Sequence, residues 1–192
     1  MPRKYFGNHG ARLVACVLTF AAMTLFVPKV RNTQADEFQL EKGFTLFFNG
    51  KDLTGWKLRG GDSLDGKTEA PKKRFQVTDG KLIIDGKVKG NMVIDTTREF
   101  KGDVHIKFQY LPDAKCNNDL YFRGLKFDIK KAGIKNIQEG KWNDFEIVVT
   151  GSQVEFKNNG ETQRTQNAKS ESSPLGVRAE FGAIEIRRMR FK

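Results

Sequence analysis

The sequence predicts an all-β protein: an antiparallel β-sandwich that follows an N-terminal signal segment. Three observations predict it. From Phe44 onward apolar residues recur with period two, Asn-Gly and Asp-Gly turn signals return about every 8 to 12 residues, and the chain beyond its leader has no convincing helical stretch.

The leader comes first. Arg3, Lys4 and Arg12 precede the apolar run Leu13 to Val27, and Thr33-Gln34-Ala35 offers small residues where a signal peptidase reads. Residues 1–35 are therefore expected to be a signal peptide. The apolar run is shorter than the roughly 20 residues that cross a bilayer, so a membrane is expected to be met only through an uncleaved leader. The expected location is exported: periplasm, cell envelope or extracellular. Residues 36–43 read as a short linker, and 44–192 as one sandwich domain.

Within the domain, "FTLFFNGKDLTGW" (44–56) reads as strand, tight turn and strand, closed by Trp56. "FQVTDGKLIIDG" (75–86) is a hairpin turning on Asp79-Gly80, and "VEFKNNGETQ" (154–163) is a second turning on Asn159-Gly160. "DVHIKFQY" (103–110) puts Val104, Ile106, Phe108 and Tyr110 on one face and His105, Lys107 and Gln109 on the other. "WNDFEIVVTG" (142–151) does the same, with Phe145, Ile147 and Val149 inward and Asp144 and Glu146 outward. The closing "AIEIRRMRFK" reads as a long strand with Ile184, Ile186, Arg188, Arg190 and Lys192 sharing a face. Segments 60–73 and 163–174, rich in Gly, Asp, Lys, Gln, Asn and Ser, are expected to be the least regular.

Composition narrows the function. The 192 residues are 38% hydrophobic and 30% charged, with formal charge +11. Without residues 1–35 there remain 29 basic and 23 acidic residues, a charge of +6. That charge runs in short clusters (Lys72-Lys73-Arg74, Lys130-Lys131, Arg187-Arg188) between carboxylates, so no nucleic-acid partner is expected. An acidic polysaccharide or anionic surface stays open. Cys116 is the one cysteine and His105 the one histidine beyond residue 35, which excludes an internal disulfide and a zinc site built on those ligands. No Gly-x-Ser-x-Gly elbow and no Asp-x-Asp-x-Asp-Gly loop occurs, and no metal or cofactor is expected.

Several landmarks in fixed order carry a resemblance. "FFNGKDLTGW" is similar to the opening of the 3-keto-disaccharide hydrolase domain family, long treated as a domain of unknown function. "FQVTDGKLI" is similar to its next hairpin, "NNDLYFRG" (117–124) to its Asn-Ser-Gly-Ile-x-Phe-Arg strand, "GKWNDFEIVVTGSQVEFKNNG" (140–160) to its Trp-Asn strand and hairpin, and "LGVRAEFGAIEIRRMRFK" to its closing strand. The resemblance spans 44–192 and implies a concanavalin A-like jelly roll. It also implies a hydrolase acting on glycosyl bonds, cleaving glycosides or disaccharides with a ketone at carbon 3. That ketone acidifies the carbon 2 hydrogen, so the bond can break by elimination followed by addition of water. Such a route asks for a base, donors to the enolate oxygen and an acid for the leaving group.

The resemblance places candidate residues. Arg123 matches the family's arginine and would hold a ketone or enolate oxygen, or form a salt bridge on the sheet face. Asp128 or Glu146 would move the proton, though a plain surface aspartate also fits Asp128. Asn117 would orient substrate, and Trp142 would stack on a sugar or pack at a corner. His105 and Lys107 join the site if their face is the concave one. The sequence also departs from the family pattern: Arg178 and Glu180 stand where a Gln and a His are expected. A non-catalytic carbohydrate-binding module of the cell envelope is the alternative, gripping a glycan through aromatics with Lys107, Arg123 and Lys126. The expected partner in either case is a carbohydrate.

Overall fold

The structure, a computed structural model, describes residues 1–3, 7 and 38–192. Apart from residues 1–3 and 7, the expected signal peptide lies outside the described residues, as do residues 36 and 37 of the linker. Gln39–Lys192 is one unit.

Among the described residues the chain runs through β1 (Thr45–Leu46), β2 (Trp56–Leu58), β3 (Phe75–Thr78), β4 (Lys81–Ile84), β5 (Met92–Thr96), β6 (Phe100–Lys101), β7 (Val104–Pro112), β8 (Asn117–Phe122), β9 (Leu125–Lys130), β10 (Asn143–Thr150), β11 (Gln153–Asn158), β12 (Glu161–Asn167), β13 (Ser172–Ser173), β14 (Gly176–Phe181) and β15 (Ile184–Phe191), with two short 3-10 turns. The larger sheet has the order β12-β11-β10-β7-β15-β4-β3, with β1 also paired to β15. The smaller has the order β2-β5-β14-β8-β9. Every pairing is antiparallel, and β6 and β13 make a separate ribbon.

Two-residue periodicity decides which side chains lie between the layers. Val104, Ile106, Phe108 and Tyr110 of β7, Phe145, Ile147 and Val149 of β10, and Leu125, Phe127 and Ile129 of β9 are buried in one continuous core. Phe127 of the small sheet stacks on Phe156 of the large one at 4.8 Å and meets Phe145 edge-on at 5.1 Å. Each such ring contributes about 1.5–3 kcal/mol by leaving water. Since both sheets bury their inward rows in this core, their polar rows face away from each other.

The hairpins form where the dipeptides place them. Asp79 and Gly80 have φ 50° and 75°, Asn159 and Gly160 have φ 47° and 79°, as a tight turn that matches strand twist requires. Three local readings sharpen or change. The opening strand, turn and strand do not pair with each other but form the corner that the jelly-roll resemblance implies: β1 pairs with β15 in the large sheet, while β2 pairs with β5 in the small one. Asn49 Oδ1 accepts from the Lys51 and Asp52 amides at 2.8 and 3.1 Å, so this side chain turns the chain between layers. The closing strand breaks its alternation at a bulge, with Arg188 at φ 57°; Met189 is thereby buried with Ile184 and Ile186, and Arg190 is set beside Lys107 on the outer face. Segment 163–174 contains the end of β12 and all of β13, because backbone pairing with β11 and β6 overrides a polar composition.

Candidate functional site

The structure distributes the sequence-derived residues over three places. His105, Lys107, Glu146 and Trp142 belong to the outer face of the large sheet. Asn117 and Asp128 belong to the outer face of the small sheet. Arg123 lies in the turn joining β8 to β9. No single pocket can therefore hold Arg123, Asp128 and Glu146 as one catalytic set, because the core separates the last two.

Arg123 is buried, at φ 51°. Its Nη2 donates to the Gly102 carbonyl at 2.7 Å, its Nη1 donates to the Glu171 carbonyl, and its backbone amide donates to Ser173 Oγ at 2.7 Å. It straps the segment before β14 to the turn before β7. This is neither a salt bridge on the sheet face nor a group presented to a sugar.

On the large sheet, opposite charges close on each other. His105 Nε2 and Glu146 Oε2 are 2.6 Å apart, and burial pulls the imidazole below its usual range despite the stabilising carboxylate. Glu41 accepts from Arg190 Nε and Nη2 at 2.5 and 2.7 Å and from Lys107 Nζ at 3.3 Å. The Arg190 hydrogen bonds pull its carboxyl down to about 2. Trp142 is half-buried beneath the Arg187 guanidinium, 3.9 Å from the ring, so its outer face is covered.

The small sheet differs. Period two in "NNDLYF" sends Asn117, Asp119 and Tyr121 outward from β8, and "LKFDIK" sends Lys126, Asp128 and Lys130 outward from β9. The turn at Arg123-Gly124, both with positive φ, fixes the register so that Asp119 lies opposite Asp128 and Tyr121 opposite Lys126. On its other side Asp119 is paired with Arg178 of β14. Asp119 has no exposed side-chain surface, whereas Asp128 is 40% exposed. Lys126 Nζ stands 2.7 Å from Asp128 Oδ1 and 3.5 Å from Asp119 Oδ1, and Arg178 Nε stands 2.5 Å from Asp119 Oδ2. Arg178 also pairs with Glu180. Although these cations are near, neither Asp119 oxygen has a well-aligned donor.

Burial first, and the facing Asp128 carboxyl second, push Asp119 up to about 6. Burial acts upward on Asp128 too, but hydrogen bonds from Lys126 and Asp119 outweigh it and bring Asp128 below the usual carboxylate range. The two carboxyls are thus pushed apart, Asp119 the more readily protonated and Asp128 the more readily ionised, a division that suits an acid and a base. Among the described residues no group of three or more His, Cys, Asp or Glu side chains could hold a metal. Cys116 is buried, its thiol pushed up to about 11 by desolvation, which makes it inert as a nucleophile.

Sequence reasoning named Asp128 and Asn117 on this face but gave Asp119 no catalytic role. The signal was present in the alternation of two adjacent strands: a one-turn hairpin must set one carboxylate opposite the other.

The fold is an antiparallel jelly-roll sandwich, shared with solved glycosyl hydrolase-like structures. The profile of the 3-keto-alpha-glucoside-1,2-lyase-like domain matches residues 43–136, from the first corner through β9. Two solved structures from Parabacteroides distasonis, both candidate glycosyl hydrolases, share the fold. One has 20% identity and a TM-score of 0.59 over 78% of this chain and 93% of its own; the other has 14% identity and a TM-score of 0.52 over 71% and 98%. Comparison with curated proteins gives no match.

Proposed function

We propose that the protein cleaves a 3-keto-glycoside on the outer face of the small sheet, with Asp119 and Asp128 as its acid and base. The observation that carries this reading is the facing carboxyl pair, one member buried and pushed up to about 6, the other partly exposed and held below the usual carboxylate range. The match to a 3-keto-alpha-glucoside-1,2-lyase-like domain supports the substrate class.

In this reading the Asp128 carboxylate takes the carbon 2 hydrogen as a proton, and the released electron pair forms an enolate ending on the carbon 3 oxygen. Lys126 and Arg178 lie where a cation lowers the energy of that oxyanion. The enolate then re-forms the ketone, a double bond forms between carbons 1 and 2, and the bond from carbon 1 to the leaving oxygen breaks. Asp119 gives its proton to that oxygen. The proton on Asp128 passes across the pair to Asp119, and water adding at carbon 1 completes hydrolysis.

Binding without turnover is the second reading. It is favoured by one observation: Lys126 and Arg178 are already ion-paired on an open face. Incubating purified protein with a 3-keto-glucoside and measuring released sugar separates the two. The proposal expects release that falls at least about 100-fold in both Asp119→Asn and Asp128→Asn. Binding with no release in the parent protein would establish the second reading instead.

A further inference from the structure

One row along the same sheet, an arginine is held in a way that no packing requirement explains. Arg59, just after β2, donates from Nε to Asp95 Oδ2 at 2.9 Å and from Nη2 to Asp95 Oδ1 at 2.7 Å. Its guanidinium carbon lies 4.3 Å from the centre of the Tyr121 ring. Asp95 is buried, and the berth exists because residue 176 is glycine. A Cβ there would come within 2.3 Å of Arg59 Nη2 and 2.5 Å of Asp95 Oδ1. A flexible surface side chain is thus fixed in position and plane by a fork, a ring and a missing methyl.

The fork uses only the Nε–Nη2 edge. The second edge, Nη1 with the remaining hydrogen of Nη2, is directed elsewhere, and among the described residues none accepts from Nη1. The Arg59 side chain is 42% exposed and lines a recess of about 250 Å³ with Asp95, Tyr121, Gly124, Ser173 and Pro174. A guanidinium edge matches a planar carboxylate atom for atom, and immobilising it beforehand removes the entropy cost of ordering it on binding.

Strand register connects this recess to the carboxyl pair. Tyr121 is two residues from Asp119 on β8, and Gly176 two residues from Arg178 on β14, a step of roughly 7 Å. That is about one pyranose ring. Beyond residue 35 the excess of basic residues, 29 against 23 acidic, also favours an anionic ligand.

We infer that Arg59, held by Asp95 and Tyr121 over Gly176, is a subsite for the carboxylate of a uronic acid in the ring next to the one bound at Asp119 and Asp128. The inference rests on the small-sheet face being the glycan site. Calorimetric titration of the full chain with cellobiouronic acid, its methyl ester and cellobiose 6-sulfate tests it. The acid should bind roughly tenfold tighter than the ester and tighter than the sulfate. Arg59→Gln should erase the difference, Arg59→Lys should lose most of it by keeping charge without the fork, and Gly176→Ala should weaken it by displacing the guanidinium. Equal binding of acid and ester overturns the inference, as does no binding of either, a preference for sulfate, or a preference that survives Arg59→Gln. A preference intact in Asp119→Asn, alongside a parent protein that cleaves no 3-keto-glucoside, would sink the catalytic reading while leaving this subsite standing.

Discussion

The two outer faces of the sandwich both carry ionisable groups and arrange their carboxylates differently. On the large sheet, Glu41 meets Arg190 and Lys107, and His105 meets Glu146, so each carboxylate sits against a basic partner. On the small sheet, Asp119 and Asp128 face each other across two paired strands, and burial with the facing carboxyl pushes Asp119 up to about 6. Cross-strand ion pairs of the first kind stabilise a sheet surface modestly. A like-charged pair costs stability, so its presence points to use rather than to folding. Sequence alternation alone treats the two faces as equivalent; the pairing register tells them apart.

The largest expected effect breaks the comparison by activity. Asp119→Asn and Asp128→Asn should each lower 3-keto-glucoside cleavage about 100-fold or more. Glu146→Gln and His105→Ala, across the core, should keep the rate within about threefold, since a surface ion pair is worth roughly 1 kcal/mol at most. Initial rates of released sugar check all four, and a collapse in the second pair would move the site to the large sheet.

The next effect sharpens the comparison through pH. The folded state holds the Asp119 proton more tightly than the unfolded chain, so this group stabilises the fold most below about pH 4. That contribution is lost as pH rises through about 6. Replacement by asparagine should remove about 3 kcal/mol of pH dependence across this window, read by urea unfolding at several pH values. Glu41 runs the other way. Its carboxyl is pulled down to about 2, so its contribution is present above about pH 4.5 and fades as pH falls through about 2. With a 40% exposed side chain the effect is screened, and Glu41→Gln should cost only about 1 kcal/mol at pH 7.

Between these in size lies Arg123→Ala. It should cost about 2–3 kcal/mol by leaving the Gly102 and Glu171 carbonyls without their donor, while the small-sheet carboxyl pair keeps its titration. Thermal unfolding together with the pH profile checks both halves of this expectation.

Most of the fold was legible because period two and turn dipeptides are local. "DVHIKFQY" and "WNDFEIVVTG" bury the residues that alternation selects, and both Asx-Gly hairpins turn where their left-handed residues allow. The corner at 49–55 followed only from the resemblance, not from its local pattern, and the bulge at Arg188 was not legible. Both depend on which distant strand a segment pairs with, and a hairpin signature looks the same in either case. The site was half legible. Asn117 and Asp128 followed from the resemblance, but Glu146, His105, Lys107 and Trp142 were joined to them only because sequence cannot say which layer a polar face belongs to. Arg123 was misassigned for a related reason: a strand-end arginine next to glycine looks available until its carbonyl acceptors, 21 and 48 residues away, are known.

The most direct test follows backbone amide shifts of the isotopically labelled chain as a 3-keto-glucoside is added. The account predicts shifts confined to the small sheet, centred on 117–121, 126–130 and 176–180. Shifts centred instead on 105–109, 144–148 and 187–191 would contradict it.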